Sequence, residues 1–147
     1  MCIRDRALSL IVHPGVVFVV VLGVAGWSAA RRLRRQATAL VGSVVLGWGG
    51  YELLKYLFQL PRPASGFSDA LTYAGYSYPS GHVAAATIGT STIVTLVTAQ
   101  RRSTVSIWVI RVAGALFVLG VAADRLLMRH HWVSDLVGGA LLSLIHI

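Results

Sequence analysis

Charge is what this sequence has least of. Only 12% of its 147 residues are Asp, Glu, Lys or Arg, where a soluble domain carries roughly 25%. Five residues are acidic and they are scattered, so no carboxylate cluster of the kind that holds magnesium is present. One cysteine, Cys2, excludes an internal disulfide and any zinc-type cysteine spacing. Internal repeats and low-complexity tracts are also missing. The net charge is +8, but most of it lies in short clusters. That is not the basic face of a nucleic-acid-binding surface, and no nucleic-acid partner is expected.

Apolar residues fill the chain instead. They make up 56% of it, and the mean hydropathy is +0.72. A membrane-spanning helix needs roughly 20 mostly apolar residues. Residues 8–28, 37–57, 83–99 and 106–127 meet that description, and 132–147 begins a fifth helix. A cleaved signal peptide is the alternative for the first run, but arginines follow it and not a small-residue cleavage site. Residues 59–79 hold Pro61, Pro63, Gly66, Gly75 and Pro79 and read as a loop. The expected fold is an all-α, polytopic transmembrane helical bundle of about five helices, with residues 1–147 forming a single domain.

Topology follows from the arginines. Arg31, Arg32, Arg34 and Arg35 form one cluster and Arg101 with Arg102 another, two spans apart. Both fall on one side of the membrane, which the positive-inside rule makes cytoplasmic. Loop 59–79 and residues 128–131 then share the outer side, and the polar groups collected there are unusual. Lys55 is the only lysine in the chain. Read alone, it is a snorkelling side chain paired with Glu52. With Arg62 and Arg125 it makes three cations on one small surface, an arrangement that calls for an anion. Phosphate fits, since arginine binds its oxygens bidentately and lysine adds a point charge. Ser80 and Gly81 lie at a helix start, where free N–H groups also favour an anion. His82 and His131 add a proton donor and a nucleophile. Asp135, four residues after His131, can orient its imidazole.

Lys55-x6-Arg62-Pro63, Pro79-Ser80-Gly81-His82 and Arg125-x5-His131-x3-Asp135 occur in that order. Together they resemble the three-part signature of the PAP2 (type 2 phosphatidic acid phosphatase) superfamily of membrane lipid phosphatases. The resemblance implies a metal-independent, cofactor-free hydrolase acting on a lipid phosphomonoester or an isoprenoid diphosphate. It assigns attack on phosphorus to His131, which becomes a phosphohistidine. Asp135 orients it and His82 protonates the leaving oxygen. Lys55, Arg62, Ser80, Gly81 and Arg125 hold the phosphoryl oxygens. The implied setting is a bacterial inner membrane, with the site facing outward. Phosphatidic acid, phosphatidylglycerol phosphate and undecaprenyl diphosphate are all open as substrates. A non-catalytic phosphate- or lipid-binding membrane protein is the alternative; a transporter is disfavoured because the charges gather at one face.

Three features depart from the family pattern. Asp124 stands where serine is usual, and its carboxylate can pair with Arg125 or Arg129. The helices are fewer than six. Both termini read as remnants, so a piece of a longer protein, lacking its first helix and part of its last, is expected. Other residues read structurally. His130 is a surface or gate residue, and His13 with Pro14 marks a helix start. Trp27, Trp48, Trp108 and Trp132 are interfacial anchors. Tyr73, Tyr76 and Tyr78 read as interfacial aromatics or as the lining of a substrate entrance. Gly47, Gly49, Gly50, Gly138 and Gly139 allow close helix packing.

Overall fold

The computed structural model describes residues 11–63, 75–98 and 103–144. Residues 8–10 of the first apolar run, the termini, Gly66, Tyr73 and the Arg101–Arg102 pair lie outside the described residues. Among the described residues five α-helices follow one another: α1 (Pro14–Ala30), α2 (Arg34–Phe58), α3 (Gly81–Thr98), α4 (Thr104–Leu127) and α5 (Val133–Leu144). No strand occurs among the described residues. The chain has the all-α architecture expected of it.

Local chemistry explains where the helices stop and start. His13 caps α1, taking the Gly15 N–H on its Nδ1 at 3.2 Å, and Pro14 occupies the first turn, a position where a missing N–H does no harm. Gln59 ends α2 in a left-handed conformation (φ 46°), with its N–H on the Lys55 carbonyl, and Pro61 follows. The Ser103 hydroxyl caps α4 through the Ser106 N–H. Arg129, at φ 53°, turns the chain out of α4. At α5 the Asp135 carboxylate reaches back to the Trp132 N–H at 2.8 Å, which is half of a capping box.

Helices α2, α3 and α4 are long and apolar enough to cross a membrane, while α1 and α5 are shorter apolar helices of 17 and 12 residues. The sequence predicts one span over residues 8–28; among the described residues the helix α1 starts at Pro14, where His13 and Pro14 cap it. Large apolar side chains such as Val19, Val45, Val105, Leu116 and Leu119 point outward, as they do where the solvent is lipid.

α3 is the most enclosed of the three long helices and packs against all four others. One core joins Val12, Val83, Ala86, Val121 and Leu136; a second joins Phe18, Val21, Val44 and Ile88. Apolar burial does little to hold helices together in lipid, so close backbone approach matters more. Gly139 on α5 shows this best. A Cβ there would stand 2.6 Å from the Ser80 carbonyl oxygen and 3.3 Å from the Ala84 nitrogen. Gly47 and Gly50 admit Ile88 and Leu142 in the same way, whereas Gly49 has nothing within 4 Å and is not a packing residue. The Ser143 hydroxyl bonds the Ala84 carbonyl across the same interface at 3.0 Å.

Gly139→Ala should lower the melting temperature in detergent, with a destabilisation of about 1–3 kcal/mol from overpacking against fixed backbone. Gly120→Ala, with nothing within 4 Å of its Cβ position, should be neutral or stabilising, since alanine is the better helix former by about 1 kcal/mol.

Candidate active site

Five chain segments meet at one end of the bundle: the start of α1, the end of α2, the start of α3, the end of α4 and the start of α5. One tie is between the starts of α3 and α5, where the Ser80 N–H donates to the Asp135 carbonyl at 2.9 Å. A second set of ties draws the two loops together. Arg62 Nη1 donates to the His130 carbonyl at 2.9 Å and its Nε to the Gly75 carbonyl at 3.3 Å. Trp132 Nε1 and the Ser77 hydroxyl both donate to the Pro61 carbonyl at 3.0 Å. The Ser77 N–H donates to the Leu60 carbonyl at 2.8 Å. Residues nearly seventy positions apart are thus fixed side by side.

His131 is buried, with Nδ1 3.3 Å from Asp135 Oδ2. The spacing of four residues works because His131 stands just before the first turn of α5 and Asp135 lies within it. The same Oδ2 holds the Trp132 N–H, so one carboxylate oxygen both starts the helix and orients the ring. Burial depresses the His131 pKa most, and the positive charges of Arg62 and Lys55 add to this. A hydrogen bond to the Ser77 backbone works the other way; the result is a pKa of about 3. His131 is therefore neutral at pH 7, with a lone pair available. His130 is also held below the ordinary value of 6.5, first by burial and then by Arg125 and Arg62, with Asp124 opposing.

Arg62 and Lys55 act on this histidine, and Arg125 acts on its neighbours His82 and His130. Arg125 is only 2% exposed, and its Nε and Nη2 lie 2.9 and 2.7 Å from Asp124 Oδ2. Of the two partners open to Asp124, the adjacent arginine is the one it takes. Lys55 does not pair with Glu52. Its Nζ sits over the Tyr51 ring, 4.6 Å from the centroid. Tyr51 in turn fills the space that a Gly81 side chain would need, 2.9 Å from that Cβ position. Gly81 is thus required by a neighbouring ring, in addition to whatever approaches its backbone. The Ser80 hydroxyl and Asp135 Oδ1 are buried with no hydrogen-bond partner among the described residues. His82 is half-buried, and the ionisable groups near it are Arg125, His131, His13 and His130.

All eight residues picked out by motif spacing lie in this one region. Three others were not foreseen as part of it: Tyr51, Ser77 and His13. Tyr51 lies one helical turn before Lys55 and Ser77 two residues before Pro79, but neither belongs to a spaced motif. His130 contributes through its backbone, as the carbonyl that anchors Arg62. Tyr78 is half-buried against Phe58, with ring centroids 5.1 Å apart, and over Gly138.

A family model described as the PAP2 superfamily matches residues 35–147. That is most of the chain and includes every motif residue above, and the protein belongs to this family of all-α membrane proteins, whose members are generally phosphatases. Comparison with curated proteins and with solved structures gives no match.

Because His131 has a pKa of about 3 when folded against 6.5 ordinarily, the unfolded chain takes up this proton between those values and the folded chain does not. Stability therefore falls as pH drops below 6.5. Melting temperatures in detergent should decline from pH 7 to pH 4, and His131→Gln should make that decline shallower.

Proposed function

We propose that this protein hydrolyses the phosphomonoester or diphosphate of a membrane lipid, without a metal ion, through a phosphohistidine on His131. The single observation that carries this reading is a buried, neutral His131 oriented by Asp135, with Arg62 and Lys55 close enough to act on its ring. A binding protein has no need of a histidine kept unprotonated beside cations.

With Nδ1 turned to Asp135, Nε2 is the nitrogen that attacks phosphorus. The imidazole becomes positively charged as the bond forms, and the Asp135 carboxylate stabilises that charge. His82 gives its proton to the leaving oxygen. Arg62, Lys55 and Arg125 meet the charge that builds on the equatorial oxygens. The buried Ser80 hydroxyl and the first N–H groups of α3 are further donors without an acceptor inside the helix. Water then attacks the phosphohistidine, with His82 now acting as base. Phosphatidic acid, phosphatidylglycerol phosphate and undecaprenyl diphosphate all carry the group this arrangement reads. The setting we propose is a bacterial inner membrane, with the site on the outer face.

The test is phosphate release by the purified chain in detergent from each of those lipids. His131→Ala should reduce turnover by about 10³-fold or more, the scale of losing a nucleophile, and His82→Ala should slow release most for the poorest leaving group. Vanadate should inhibit and a chelator should not. Activity abolished by a chelator and indifferent to vanadate would sink the mechanism, and no release by any wild-type preparation would leave a binding protein. Asp124→Asn frees the Nε and Nη2 of Arg125. It should tighten vanadate inhibition by roughly threefold to tenfold, as expected for gaining a charge-assisted hydrogen bond.

A further inference from the structure

One histidine outside the three motifs also faces the site. The ring of His13 stands perpendicular to that of His82, at 89° and with centroids 6.3 Å apart. Its Nδ1 accepts the Gly15 N–H at 3.2 Å. A nitrogen that accepts a hydrogen bond does not carry the proton, so neutral His13 has its hydrogen on Nε2. Capping α1 therefore also sets the tautomer and leaves a fixed N–H donor on an exposed ring.

The position of that donor is informative. The ionisable groups acting on His131 are Arg62, Lys55 and His130, and His13 is not one of them. His13 does act on His82. It thus stands beside the proton donor, whose neighbouring cation is Arg125, while Arg62 and Lys55 act on the nucleophile. In an in-line displacement the attacking and leaving atoms lie on opposite sides of phosphorus. Whatever is bonded beyond the leaving oxygen is then next to His82 and within reach of His13. In a monoester that group is carbon, which offers an N–H nothing. In a diphosphate it is a second phosphate with anionic oxygens.

We infer that His13 is a specificity-determining residue that binds the leaving phosphate of a lipid diphosphate, and that a diphosphate is the preferred substrate of this site. The inference rests on the phosphatase reading above. The bond from His131 Nε2 to the terminal phosphorus forms as the bond from that phosphorus to the bridging oxygen breaks. The electron pair stays on the bridging oxygen, which takes the His82 proton, and the lipid monophosphate departs. Water attacks the phosphorus, the N–P pair returns to Nε2, and a proton from the water returns to His82. His13 donates one hydrogen bond to the second phosphate and changes no covalent bond.

The experiment compares farnesyl diphosphate with farnesyl monophosphate, using the whole chain in detergent. His13→Ser keeps a side-chain oxygen to cap α1 and removes the imidazole, so loss of helix is not confused with loss of the donor. It should lower kcat/KM for the diphosphate about tenfold, the size of one hydrogen bond to a charged group, and leave the monophosphate nearly unchanged. His13→Gln, with an amide N–H at similar reach, should recover part of the loss. Equal losses on both substrates, or no loss on the diphosphate, would overturn the inference. A wild-type protein that cleaves only the monophosphate would also overturn it while leaving the phosphatase reading in place. Failure to cleave either would overturn both.

Discussion

The hydrogen bond from the Ser80 N–H to the Asp135 carbonyl is the joint on which the site is assembled. Ser80 immediately precedes the helix that carries His82. Asp135 belongs to the first turn of the helix that His131 leads into. One backbone contact therefore sets the distance between the proposed proton donor and the proposed nucleophile. It can form only because Gly139 presents no side chain to the Ser80 carbonyl. Lipid does not press helices together as water does, so a site of this kind depends on such direct polar and backbone contacts.

The electrostatics of the site are unusual for their lack of slack. Arg62 gives N–H groups to two backbone carbonyls, Arg125 is engaged by Asp124, and Lys55 lies on the face of Tyr51. Each cation is positioned by a contact that does not neutralise it fully: a carbonyl dipole, a shared carboxylate, a ring quadrupole. Asp124 is the exception in strength. Its Oδ2 lies on both the Nε and the Nη2 of Arg125, so a phosphate must share Arg125 with it.

The elements of this fold were legible because membrane-length apolar runs leave few alternatives, and the helix limits differ from expectation by only a few residues. The grouping of the candidate residues was legible because they are spaced regularly on three segments, and the alternation of spans brings those segments to the same end of the bundle. What escaped was contact without periodicity. Tyr51 supports both Lys55 and Gly81, but a tyrosine in an apolar helix looks the same whether it meets lipid or a ring-sized gap. Ser77 matters through its backbone and a carbonyl partner sixteen residues away, which no motif records. Lys55 taken alone suggests a pairing with Glu52 three residues away, but its Nζ lies over the Tyr51 ring four residues away. His13 was rightly read as a helix start, and that local role concealed its position beside His82.

Every polar group of the site sits on the first or last turn of a helix, or on the residues just outside it. Tyr51, one turn further into α2, is the exception. The helices themselves are unequal, from 12 to 25 residues. A rigid rod that tilts moves its ends most. Any change in bilayer thickness that makes these helices lean is therefore delivered in full to the spacing of His82, Arg125 and Asp135, while the packed middle of the bundle hardly shifts. The surrounding lipid is in this sense a component of the site's geometry.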